Sequence, residues 1–229
     1  MRMTSPEARP RTPEECSVLP YNHSILEAVS ARGITEVLHF THTHNLVGIL
    51  ASSLKSRLLV KDDPYVVHVH DPNCTDRSRD LEWVGYVSLS ISRINEWMLG
   101  CSRRWHRHQD VEWVVLSLDP EILAHPGVVF TTTNNAYPVC LRAERQFGFD
   151  RIFAEEVVSH HRTICRTSEN LDDRCPTDRW AEVLYPGELS LDHLRKIYVD
   201  KEEMVEHVEG ILAVVDRNAP VEYQPEVFR

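Results

Sequence analysis

The chain has 229 residues and a mass of 26.5 kDa; 42% of the residues are hydrophobic and 26% are charged. That is enough apolar content for one ordinary core and too much for wholesale disorder. A net charge of −10 excludes a sequence-independent DNA coat, which needs a basic surface.

The charge is uneven, however. Residues 200–229 hold eight acids against three bases, while a basic run extends from Arg93 to Arg107. An acidic total is therefore compatible with a nucleic-acid substrate held in one local groove. No apolar run reaches the length of a membrane span, and no charged-then-apolar leader opens the chain. The expectation is a soluble, unexported, cytoplasmic protein.

In chain order, residues 1–20 are rich in Pro, Arg, Glu and Ser and read as a loose tail. Residues 21–32 suit a short helix with Ile25, Leu26 and Val29 on one face, ended by Gly33. Residues 1–33 form an N-terminal extension on this reading, and 34–229 form the main domain. Residues 34–42 alternate as a strand, with Val37, His39 and Thr41 on one face and Leu38, Phe40 and His42 on the other. Thr43 is placed to cap a helix carrying Leu46, Ile49, Leu50 and Leu54. Its N-terminus is a place where a pyrophosphate would be attracted.

Residues 62–82 are polar and read as a loop. Residues 83–92 alternate as a strand, and the segment beginning at Arg93 is helical. Residues 111–119 form a strand rich in Val and Leu, and a short helix is possible at 121–125. Residues 127–132 are a short strand, 141–162 are helical in part, and 161–178 are a long polar loop. Residues 179–199 read as strand, turn, short helix and strand. An amphipathic helix covers Glu202–Asp216, and Val221–Phe228 is a last edge strand. Short strands with interleaved helices make an α+β pattern rather than regular βαβ winding.

Six cysteines show no C-x-x-C pair. Nine of the thirteen histidines cluster as 39/42/44, 68/70, 106/108 and 160/161, but without the spacing of a closed zinc site, so no metal is expected. Glu182 stands in the apolar strand RWAEVLY. It is either a solubilising charge on an edge strand or a functional acid. His39 is either a strand-end histidine satisfied by backbone or a ligand contact. Asn45 is either a cap or a donor toward a bound dinucleotide.

Three segments in order, HFTHTHNLVGIL (39–50), FTTTNNA (130–136) and RWAEVLYPGELSLDHLRKIYV (179–199), resemble the DarT family. So does the pairing of GYVSLSIS with EWML. DarT proteins are bacterial toxins that ADP-ribosylate bases of single-stranded DNA using NAD. The resemblance spans roughly residues 34–200. It implies an ADP-ribosyltransferase-like split β-sheet with flanking helices, and NAD as the ADP-ribose donor with no metal.

The resemblance also assigns roles. Glu182 becomes the catalytic carboxylate that stabilises an oxocarbenium-like transition state. A catalytic arginine, Arg77 or Arg79 with the count favouring Arg77, would also contact NAD. His39, Thr41, Asn45 and Met98 would bind the dinucleotide, and Thr133, Asn134 and Asn135 the acceptor base. A macrodomain antitoxin of the DarG type is the implied partner, alongside single-stranded DNA. Where the family has aromatic residues this chain has Ser88-Leu89-Ser90-Ile91, so thymidine and guanosine both stay open as acceptors. The alternatives are the same fold acting on RNA or protein, and a non-catalytic module that binds nucleic acid or metal.

Overall fold

The structure is a computed structural model that describes residues 22–63, 70–74, 81–160 and 162–229. Its centre is an eight-stranded sheet in the order β12-β11-β4-β1-β3-β9-β5-β6. The strands are β1 (Val37–His42), β3 (Tyr86–Ile91), β4 (Trp113–Leu118), β5 (Val129–Thr131), β6 (Arg142–Glu144), β9 (Glu182–Pro186), β11 (Leu194–Val199) and β12 (Val221–Tyr223). All neighbours pair antiparallel except β11 and β12. Two small ribbons lie outside: β2 (Leu54–Lys55) with β10 (Glu188–Leu189), and β7 (Glu156–Val158) with β8 (Thr163–Cys165).

The period-2 pattern sorts the strand residues as expected. Every residue of β4 is buried. Val114, Leu116 and Leu118 enter the larger core with Val37, while Trp113 and Val115 join Leu38 and Tyr198 on the other face. Helices α1 (His23–Ala31), α2 (Thr43–Ala51), α5 (Arg145–Ile152) and α6 (Met204–Val214) cover the larger core with Ile25, Leu46, Phe149 and Val208. Helix α4 (Glu96–Trp105) covers the smaller core through Leu99. The remaining helix, α3 (Arg57–Asp62), follows β2. Gly33, at φ +67°, ends the α1 turn as expected.

Three expectations need correction. Helix α2 stops at Ala51, so Leu54 lies on β2 rather than on the helix, and His42 rather than Thr43 occupies the N-cap position. Residues 163–165 are a strand paired with β7, not part of a polar loop. Each strand of that hairpin has only three residues, too few for alternation to give a signal. No helix among the described residues is long and apolar enough to cross a membrane.

Candidate active site

The sheet splits beside β1. Strand β1 pairs with β4 along its whole length but with β3 only at Val37↔Ile91 and Leu38↔Ser90. Beyond that point β3 turns its pairing to β9, from Leu89↔Val183 to Tyr86↔Pro186. The divergence opens a cleft of about 340 Å³, lined by His39, Thr41, Asn45, Met98, Asn134 and Glu182 among others. That volume lies in the range of small-molecule sites.

Glu182 begins β9, an interior strand between β3 and β5. The edge-strand explanation of this acid therefore falls. Its neighbours Ala181 and Val183 belong to the larger core, whereas its carboxylate lines the cleft. One oxygen, Oε1, accepts from the Asn134 Nδ2 at 3.2 Å, and Oε2 accepts from the Asn135 backbone N–H at 3.3 Å. The backbone N–H of Glu182 donates to Thr131 Oγ at 3.0 Å. Arg142 holds the turn from behind, donating to Asn135 Oδ1 at 2.6 Å and to the Asn135 carbonyl. The carboxylate is thus aimed by donors that cannot swing away.

Across the split, His39 Nδ1 lies 2.9 Å from the Ser88 carbonyl. A carbonyl only accepts, so Nδ1 carries the proton and Nε2 keeps its lone pair. Burial lowers the His39 pKa, opposed by the Ser88 contact. The ring is therefore neutral at pH 7, with an acceptor nitrogen suited to a hydroxyl. The sign follows: the neutral form is favoured by folding, so stability is full above the unfolded value near 6.5 and declines as pH falls below it. His39→Gln keeps a donor for Ser88 and does not titrate. Urea midpoints at pH 7.5 and 5.5 are expected to fall more in wild type than in this variant.

Thr41 and Asn45 form a network with the segment 70–74. Thr41 Oγ donates to Asn73 Oδ1 at 3.1 Å, Asn45 Nδ2 to the Asp71 carbonyl at 2.7 Å, and the Asp71 N–H to Asn45 Oδ1 at 2.9 Å. Asn45 is therefore a clip for this segment rather than a helix cap. Met98, in the first turn of α4, is half-buried on the cleft wall; its N–H is capped by Asn95 Oδ1 at 3.0 Å.

Of the three candidate base contacts, only Asn134 lines the cleft; Thr133 and Asn135 are buried behind it. Arg77 and Arg79 lie outside the described residues. Three other arginines already have partners within the protein: Arg103 with Asp200 at 2.6 Å, Arg179 with Glu96, and Arg166 with the carbonyls of Cys175 and Asp172, both at 2.7 Å. Sequence reasoning missed Ser88 and Asn73, which act through contacts distant in the chain, and Arg142, which acts across the turn on Asn135.

A family model described as "ssDNA thymidine ADP-ribosyltransferase, DarT" matches residues 38–229. The chain belongs to the DarT family. It is thus an ADP-ribosyltransferase of the family that acts on single-stranded DNA. Solved DarT structures share the fold. DarT of Thermus sp. 2.9 in complex with ADP-ribosylated ssDNA has a TM-score of 0.60 at 16% identity, covering 86% of this chain and 97% of that one. The same protein with NAD+ gives 0.58 at 15% identity, covering 85% and 98%. Thermosipho africanus DarTG in complex with ADP-ribose gives 0.56 at 15% identity, covering 85% of this chain and 51% of that one. No curated protein matches the chain. For this DarT protein, a non-catalytic module is no longer a tenable reading.

Proposed function

We propose that this chain transfers ADP-ribose from NAD to thymidine in single-stranded DNA at the split of its sheet, with Glu182 as the catalytic carboxylate. The observation that carries this is the Glu182 carboxylate itself, held by Asn134 and Asn135 on an interior strand and facing the cleft opposite His39. His39, Thr41, Asn45 and Met98 form the donor side, with His39 Nε2 accepting a ribose hydroxyl.

The glycosidic bond between ribose C1′ and nicotinamide breaks, and its electron pair leaves with nicotinamide. Positive charge develops on the ribose ring, which a nearby carboxylate stabilises. A ring nitrogen of the base then bonds to C1′. Thymine must lose its ring N–H proton in this step, and Glu182 takes it. An arginine at 77 or 79 would bind the pyrophosphate bidentately.

The acceptor strand enters past an aromatic wall. Exposed Trp97 lies 5.6 Å from Trp180, and Tyr137 stacks on His160 with ring centres 3.9 Å apart. Trp97, Trp105 and Tyr137 also line the cleft, where unpaired bases can stack on them. The Thermosipho africanus relative is a DarTG, which supports a toxin role and a DarG-type macrodomain antitoxin that removes the mark. A toxin of this kind works in the cytoplasm.

The test is incubation of the protein with NAD and separate DNA, RNA and protein acceptors, followed by mass spectrometry of the digested products. ADP-ribose on thymidine alone supports the proposal; a mark on RNA, protein or guanosine overturns it. Asn134→Ala should lower kcat about tenfold to a hundredfold by releasing the carboxylate, with NAD affinity little changed. Single-turnover rates and NAD binding titrations separate the two.

A further inference from the structure

Three residues beside the cleft have no part in this chemistry. They are His42 at the end of β1, His106 just past α4, and Asp71 on the segment between. One ligand atom from each lies within 4.8 Å of the other two. Asp71 Oδ2 is 3.6 Å from His106 Nε2 and 4.0 Å from His42 Nε2. His42 Nε2 also lies 3.1 Å from the Asp71 carbonyl and 3.2 Å from Asn45 Nδ2, contacts that a metal bond at this nitrogen would replace. The two rings, 5.1 Å apart, both rest edge-on against Trp113, which fixes their orientations.

His106 supplies the decisive detail. Its Nδ1 donates to the Ser102 carbonyl at 2.8 Å, so in the neutral ring the other nitrogen, Nε2, keeps a lone pair. That Nε2 is buried and has no hydrogen-bond partner, yet it faces a carboxylate oxygen. A lone pair opposite a carboxylate is repulsive unless a cation lies between. At 3.6 Å the pair is too far apart for a shared proton to make a good hydrogen bond. A metal fits the gap better. Bonds of about 2.0–2.2 Å set tetrahedral ligands roughly 3.4 Å apart, so small side-chain shifts close the site.

The arrangement also has its outer support. The Ser102 carbonyl orients His106 as the second shell of a metal site does. Two imidazoles and one carboxylate favour zinc and its borderline neighbours over calcium or magnesium, which take mainly oxygen. Asp71 is partly exposed, leaving the fourth position to water.

We propose that His42, Asp71 and His106 bind one divalent cation of the zinc class, which fastens residues 70–74 to the wall of the cleft. This segment contributes His70, Pro72, Asn73 and Cys74 to the cleft and leads directly into residues 75–80, which carry Arg77 and Arg79. The ligands come from three separate parts of the chain, which is why no metal spacing is visible in the sequence. The cation organises the site and takes no part in the transfer, so it can fail without touching the assignment of Glu182.

The experiment uses tag-free protein, with zinc measured by mass spectrometry and Co²⁺ titrated into chelator-stripped protein. Equimolar zinc, and the visible absorption of tetrahedral Co²⁺, are expected. His106→Ala should weaken Co²⁺ binding tenfold or more, and His207→Ala, at an exposed position on α6, should not. Should His106→Ala fail to fold, Asp71→Asn keeps the shape and removes the charge. Wild type without the Co²⁺ spectrum overturns the proposal. So does a sulfur-to-cobalt band, which would place the ion on cysteines, or a ligand variant that binds as wild type does.

Discussion

Glu182→Gln is expected to lower ADP-ribosyl transfer by about 10²–10⁴-fold, the range for loss of a group that stabilises charge or moves a proton in the transition state. The substitution keeps the size of the side chain but removes the charge that faces the developing cation. It also turns an amide toward the Asn134 amide, which donates to the carboxylate at 3.2 Å in wild type. Asn134 cannot readily flip to accept, because its Oδ1 takes the Ala136 N–H at 3.0 Å. The loss should fall on kcat, while NAD still binds. Single-turnover transfer to an oligonucleotide and NAD titration of the same variant measure both. Transfer at the wild-type rate would remove Glu182 from the mechanism.

Gly148→Ala should cost about 3 kcal/mol of stability, at the upper end for overpacking a core. Gly148 is buried on α5. A Cβ there would lie 2.1 Å from the Ala143 carbonyl oxygen and 2.6 Å from its carbon, both backbone atoms of β6. It would also press Phe130, whose ring meets Phe149 edge-on at 5.6 Å. The two closest atoms are backbone, which no rotamer change can move aside, so α5 must lift from the sheet. For a domain of this size, that corresponds to a fall in Tm of about 6–12 °C by calorimetry. The strain passes through β6 and β5 to β9, which carries Glu182, so activity should decline well below the melting range. A variant with unchanged Tm would mean that α5 does not need this close approach.

Several elements were legible because their signals are local. The Val- and Leu-rich run of residues 111–119 marked a strand, which the structure buries on both faces over 113–118, and Leu38 and Phe40 separated from Val37 as the period of two requires. The amphipathic spacing of Met204, Val208 and Leu212 marked α6. Glu182 stood out as one acid among apolar neighbours, and its fitness for catalysis came from the resemblance of the surrounding motif. Less was legible where geometry depends on distant partners. Asn134 and Asn135 read as possible base contacts, yet both hold the carboxylate. Asn45 read as a cap or dinucleotide contact, and its clip on residues 71 and 73 was not legible at all.

The opening charge also takes on a place. The acids of residues 200–229 sit on α6 and the segments flanking it, while the cleft is lined mainly by uncharged groups. Composition, periodicity and ordered motifs determined the α+β class, the run of strands and helices, and the family. Tertiary structure alone decided where the sheet splits and which side chains meet there. The reason is physical: a strand's face follows from neighbours two residues away. The pairing of β3 first with β1 and then with β9, the tautomer of His39 and the approach of Asp71 to two histidines depend on residues far apart in the chain.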